Sequence, residues 1–225
     1  MKKHLISLAL LFMTTLNANA SVILGGTRVI YEGNKKEASI SVKNDDKTPY
    51  LVQSWVNNFN NNDKQKVPFT VTPPLFRIEP ESANAVRIVL TDSQLPSDKE
   101  SVYWLNVKSI PPSDPNATNN LTISINNKIK LFYRPADLPT AEALIAYEKL
   151  TFKKQGSYLK ANNPTPYYVS FGELKVGNKE IAEPGMVPPL GEASWNISGT
   201  QANQVTWSAI NDHGTITKAK TQTLK

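Results

Sequence analysis

Side chains able to do acid–base, nucleophilic or metal chemistry are scarce in this 225-residue chain. It has no cysteine and only two histidines, His4 and His213, which removes thiol chemistry and any zinc site built on a Cys/His cluster. No Gly-x-Ser-x-Gly elbow occurs. Carboxylates that lie close in sequence, such as Asp45-Asp46 and Glu79 with Glu81, fall among turn-forming residues, where a solvated surface is the ordinary outcome. A glycosidase-type carboxyl pair needs a defined separation in the fold, and nothing in the sequence selects one. The chain is therefore expected not to be an enzyme, and to use neither cofactor nor metal.

What the spacing does offer is recognition. From Leu121 the chain reads LTISINNKIKLFYRP, with apolar residues in strict alternation at Leu121, Ile123 and Ile125. Side chains of a strand alternate faces, so these three share one face and Thr122, Ser124 and Asn126 the other. Such a row is either the half-buried face of an ordinary sandwich strand or an apolar edge offered to another protein by strand addition. Further on, parity sets Lys130, Phe132 and Arg134 opposite Ile129, Leu131 and Tyr133 unless a bulge intervenes. Lys130, flanked by large apolar residues, is either a snorkelling surface cation or an anion contact.

The elements that position these residues read as strands throughout. Val29–Tyr31, Ala38–Val42, Tyr50–Val56, Ala85–Leu90 and Val102–Val107 are rich in β-branched or aromatic residues and are separated by Asn, Asp, Gly, Pro and Lys clusters. Leu150–Lys153, Ser157–Ala161, Tyr167–Leu174, Ala193–Ile197 and Gln204–Ile210 continue the pattern. Sixteen prolines leave little room for long helices, and only Thr140–Tyr147 is suited to a helical turn or two. Short strands at regular spacing argue for sandwiches of roughly 100 residues each. The predicted division is 1–20 as an export signal, 21–138 as a first domain and 139–225 as a second, with the boundary near Pro135-Ala136-Asp137-Leu138-Pro139. Lys2-Lys3, the apolar run Leu5–Leu16 and Ala18-Asn19-Ala20 carry the signal reading. Loss of Lys2 and Lys3 lowers the formal net charge of +6 by two. No dense Lys/Arg run suggests nucleic acid as a partner.

Several longer segments resemble one family. Leu95–Pro112 (LPSDKESVYWLNVKSIPP), KIKLFYRP, NPTPYYV and INDHG follow one another in order across the chain, and together they are similar to the periplasmic pilus chaperones of the chaperone–usher pathway. The resemblance covers the whole sequence after the signal. It implies an all-β fold of two immunoglobulin-like β-sandwich domains arranged as an L, acting in the periplasm. Its implied partners are pilus subunits, both pilins and tip adhesin, and the outer-membrane usher.

By the same resemblance, Arg28 and Lys130 are the positions that anchor a subunit's C-terminal carboxylate in the interdomain cleft. Leu121, Ile123 and Ile125 are the donor strand lent to a pilin that lacks one strand of its own. Glu100, Arg134 and Asp212 are an interdomain ion-pair network, and an usher-docking patch is expected around the strands bearing Leu51, Trp55 and Val67. A pilin would be a single incomplete domain with an N-terminal extension, whereas this chain reads as two complete domains with an internal donor-like strand. An exposed apolar donor row is an aggregation hazard, so the free protein is expected to associate with itself as a self-capping dimer.

Overall fold

The computed structural model describes residues 22–60, 62–92, 94–113 and 121–224. The predicted export signal lies outside the described residues. Among them, the first half of the chain forms nine strands: β1 Val22–Leu24, β2 Arg28–Glu32, β3 Ala38–Asn44, β4 Tyr50–Asn58, β5 Phe69–Thr72, β6 Leu75–Ile78, β7 Ala83–Leu90, β8 Ser101–Ile110 and β9 Ile125–Arg134. They lie in two sheets, ordered β1-β3-β7-β5 and β2-β9-β8-β4-β6. Alternation sets the inner faces. Ile40 and Val42 of β3, Val86 and Ile88 of β7, Leu105 and Val107 of β8 and Leu131 of β9 meet in one core.

The first strand changes sheets. β1 pairs with β3 in one layer, while β2 pairs with β9 in the other. Gly25 stands at the crossing, where its N–H donates to Ser41 O at 2.9 Å and a Cβ would lie only 2.0 Å from Ser41 Oγ. The switch lays Arg28 at the start of β2 against Lys130 of β9, in a parallel pairing that runs from Arg28–Lys130 to Glu32–Arg134.

After Pro135–Pro139 the chain forms a short helix α1, Thr140–Ile145, and a 3₁₀ turn, Ala146–Lys149. The helical stretch expected over Thr140–Tyr147 is thus a single short α-helix that tightens in its last turn. Eight more strands follow: β10 Thr151–Gln155, β11 Tyr158–Asn162, β12 Val169–Val176, β13 Lys179–Glu180, β14 Met186–Val187, β15 Glu192–Asn196, β16 Gln204–Ala209 and β17 Lys220–Thr223. Their sheets, β10-β11-β15 and β13-β12-β16-β17 with β14 beside β12, enclose a separate core around Phe152, Leu159, Leu174, Ile197 and Trp207. Two cores and two pairs of sheets make two sandwich domains. Among the described residues, no helix is long and apolar enough to cross a membrane.

The long strand is shorter than its sequence suggests. Alternation begins at Leu121, but β9 begins at Ile125, and Leu121–Ser124 have no regular structure. The pairing with β8 ends at Ser109–Ile125, and on its other side β9 meets β2 only from Lys130 onward. Residues 121–124 therefore have no ladder on either side to hold them extended. From Ile125 to Tyr133 the register with β8 runs without a bulge, so the parity expected for Lys130, Phe132 and Arg134 is kept.

Candidate functional site

The site grows out of β9 and the two faces it presents. Its inner face buries Leu131 in the first core, and Ile129 and Tyr133 pack against that core. Ile125 continues that face at the start of β9, and Ile123 and Leu121 lie before it; the three are 50%, 66% and 83% exposed. They belong to no buried face of this chain, so the row is not the half-buried face of an ordinary sandwich strand. Between Ile125 and Ile129 the backbone of β9 has a partner on one side only, so an open edge lies next to the apolar row.

The outer face of β9 turns toward the second domain. Phe132 is buried there beside Tyr168, with ring centroids 5.8 Å apart. Arg134 is only 3% exposed. Its Nε donates to Glu100 Oε1 at 2.8 Å, and its Nη1 and Nη2 donate to the two carboxylate oxygens of Asp212 at 2.8 and 3.1 Å. The other oxygen of Glu100 accepts the backbone N–H of Tyr168 at 2.8 Å, and Glu100 N donates to Pro166 O. The three charges expected to form a network thus meet, with Glu100 and Arg134 in the first domain and Asp212 in the second. Burial raises the Glu100 carboxyl above its usual value, against the opposing pull of Arg134 and the Tyr168 N–H.

Arg28 and Lys130 sit one strand pairing away. Arg28 Nη1 donates to Ile210 O of the second domain at 2.9 Å, and its guanidinium lies 5.7 Å from the centre of the Phe132 ring. Arg28 Nε is buried and has no hydrogen-bond partner among the described residues. Neither Arg28 nor Lys130 has a carboxylate within ion-pair distance among them. Burial, and then the neighbouring Arg28, hold the Lys130 ammonium down to about 8. Burial also lowers Arg28, while Asp212 and Glu100 oppose it. Two adjacent, partly desolvated cations with no carboxylate in ion-pair contact among the described residues have the chemistry to accept an anion. The slot beside Arg28 and Arg134, lined also by Tyr168, Ile210 and Asp212, offers about 30 Å³, which is space for water-sized groups and not for a folded segment.

The comparisons with known proteins fit this arrangement. Residues 21–139 match the family described as the pili and flagellar-assembly chaperone, PapD N-terminal domain, and residues 145–221 match the pili assembly chaperone PapD, C-terminal domain. The chain belongs to the pili assembly chaperones. The probable fimbrial chaperone LpfB of Escherichia coli O157:H7 is 40% identical over 228 residues, covering 99% of this chain and 97% of that protein. Among solved structures, a chain of the Salmonella enterica SafA pilin complex with the SafB chaperone matches with a TM-score of 0.81 at 35% identity, covering 92% of this chain and 97% of that one. The Escherichia coli chaperone DraB matches with a TM-score of 0.78 at 36% identity, covering 91% and 97%. As in these relatives, the fold is a pair of immunoglobulin-like β-sandwiches.

Several groups in this chaperone's site carry no mark in the sequence. The Ile210 carbonyl and the Tyr168 N–H are backbone atoms, visible only once the second domain is in place. On the outer face of the first domain, Asn126, Asn106 and Asn57 form an amide ladder across β9, β8 and β4, at 3.1 and 3.0 Å. Beside it Lys128 Nζ stands 4.5 Å from the centre of the Trp104 ring. Parity with Lys130 was a signal that could have placed Asn126 and Lys128 on this face, whereas Trp104 and Asn106 join it only through the register of β8 with β9. Of the residues named for usher docking, Leu51 is exposed, Trp55 is half-buried with its indole N–H on Asn57, and Val67 packs against the first core.

Proposed function

We propose that this protein is a periplasmic chaperone that binds, folds and caps pilus subunits by donor-strand complementation and delivers them to the outer-membrane usher. One observation carries the reading: the open edge of β9 runs from Ile125 to Ile129 and stops where β2 begins, at the Arg28–Lys130 pair. A guest strand added to that edge must end or leave there, because β2 occupies the edge beyond. If the guest runs parallel to β9, its C-terminal carboxylate arrives at two cations with no carboxylate in ion-pair contact among the described residues. Leu121, Ile123 and Ile125 then point into the guest, where each buried side chain contributes roughly 1.5–3 kcal/mol before association costs.

The guest's own missing strand is thereby replaced, and its folding is coupled to capture. Arg28 can grip the carboxylate bidentately, while Lys130 adds a compact charge and relief of the cation–cation repulsion. The Glu100–Arg134–Asp212 network fixes the two domains so that the anchor keeps its geometry. In the free protein the apolar row is covered by a second copy. SafB, which this chain resembles at 35% identity, is solved with a pilin, which supports pilins as the guest.

The test is to purify the tagged protein from the periplasm of its native host as wild type, Arg28→Ala and Lys130→Ala, and to identify co-purifying chains by mass spectrometry. Wild type is expected to bring down small pilin-like chains in near-equal amounts, and both variants are expected to lose them while staying folded. Variants that keep their partners would remove the anchor assignment. A wild type that captures nothing while its pilus genes are expressed would remove the chaperone reading.

A further inference from the structure

We infer that the Ile210–Gly214 turn of the second domain positions the Arg28 anchor, and that the missing side chain of Gly214 is what lets that turn lie close to Thr27. The inference rests on the reading of Arg28 as the carboxylate anchor. The turn is built locally and held stiffly. Asn211 Oδ1 accepts the N–H groups of His213 and Thr215, each at 3.0 Å, Asn211 N donates to Thr215 O and Gly214 N donates to Asn211 O, both at 2.9 Å. Ile210 and Ile216 close its base as a single antiparallel bridge.

Three groups of this turn face the first domain. The Asp212 carboxylate takes Arg134, and the Ile210 carbonyl takes Arg28 Nη1. Gly214 lies against Thr27, the residue before Arg28: a Cβ on Gly214 would come within 2.5 Å of Thr27 Oγ1. The Ile210 bond decides which side of the guanidinium is offered. With Nη1 engaged, the Nε–Nη2 edge remains, and Nε is the buried donor without a partner. That edge is one of the two that can hold a carboxylate bidentately. Gly214 is thus a positioning residue, since it acts through the turn and Arg28 and touches no guest. An added methyl would lift the turn from the first domain, withdraw the Ile210 carbonyl and release the guanidinium to rotate.

Gly214 also has φ +79°, which a side chain tolerates poorly. The experiment must separate that strain from the contact, and Thr27→Ala does so. It removes the hydroxyl and leaves the Thr27 Cβ at 3.7 Å, an ordinary contact, while the backbone strain of an alanine at 214 stays. Subunit capture and melting temperature are measured for wild type, Arg28→Ala, Thr27→Ala, Gly214→Ala and the double variant. Gly214→Ala is expected to lower capture at least about tenfold, the size of losing one charge-assisted hydrogen bond. Thr27→Ala is expected to capture like wild type, and the double variant to recover capture while still melting below wild type, because the backbone strain at 214 stays. Wild-type capture by Gly214→Ala, or a double variant that captures no better than it, overturns the inference. Retained capture by Arg28→Ala instead overturns the anchor reading and this inference with it.

Discussion

Arg28 and Lys130 are cross-strand partners in the one parallel strand pairing among the described residues, and among these no carboxylate lies within ion-pair distance of either. Because β2 lies parallel to β9, the two cations sit where the open edge of β9 closes. Placing them together is unfavourable in the free protein. Burial and Arg28 lower Lys130 from 10.5 to about 8, so the fold disfavours its charged form.

The first prediction follows from that sign. Below pH 8 the folded protein carries the full penalty of a charged Lys130, and the penalty fades as pH rises from 8 toward 10.5. Lys130→Met is expected to stabilise the free protein at pH 7 by about 1 kcal/mol after allowance for solvent screening, a gain of roughly 2–4 °C in Tm. The gain should shrink as the pH is raised to 10. The same variant should lose subunit capture, so that stability and function move in opposite directions. Thermal melts from pH 7 to 10 are the measurement, and a destabilised Lys130→Met would show that the cation supports the fold.

Capture itself should depend on pH through the same group. A free chaperone with Lys130 at about 8 loses the anchoring charge as the pH goes from 7 to 9, and affinity should fall across that window. Arginine cannot be deprotonated in this range, so Lys130→Arg should flatten the profile. Affinity measured at half-unit pH steps decides it, and identical profiles for the two proteins would remove Lys130 as the cause.

Arg134 leads to a different expectation, because it is fully enclosed. It bridges Glu100 of its own domain and Asp212 of the other, with Tyr167 stacked 5.5 Å away. Removing one member of a buried network strands the remaining charges, and Arg134→Met is expected to cost roughly 3–5 kcal/mol. Without its arginine, Glu100 keeps the burial that raises its pKa and loses the opposing pull. The variant should therefore recover part of its stability as pH falls from 7 toward 5 and Glu100 takes up a proton. Denaturant melts of both proteins at pH 5 and 7 test this, and a deficit that grows on acidification would contradict it.

Much of the fold was legible because its strands alternate cleanly. Ala38–Val42, Tyr50–Val56, Val102–Val107 and Gln204–Ile210 each fall on an observed strand to within a few residues. Phe69–Thr72 and Leu75–Ile78 were not read, because Pro73-Pro74 between them looks like a break. In the fold those prolines lie between two strands of different sheets and interrupt neither ladder. Lys220–Thr223 is too polar to announce itself and becomes a strand only by pairing with β16 at the sheet edge. In the site, alternation placed Lys130, Phe132 and Arg134 on one face, but their significance comes from the second domain, which periodicity in β9 cannot reveal. Glu100, Arg134 and Asp212 were named through family likeness, since charges that lie 34 and 78 residues apart show no spacing of their own.

The apolar row allows the sharpest separation of folding from function. Leu121, Ile123 and Ile125 make no part of either core, so Ile123→Asp and Ile125→Asp should leave the melting temperature within about 1 °C, as exposed substitutions usually do. Facing a guest, the same carboxylates would be buried without a partner, a cost of several kcal/mol that should abolish capture. A second copy of the chain covering this row would feel the same change. Wild type should then sediment as a mixture with dimer at tens of micromolar, a concentration matched to a modest apolar contact, while Ile123→Asp should sediment as monomer. Wild type that remains monomeric over that range would leave the row uncovered in the free protein and rule out self-capping. Capture retained by both Asp variants would mean that the guest strand pairs elsewhere.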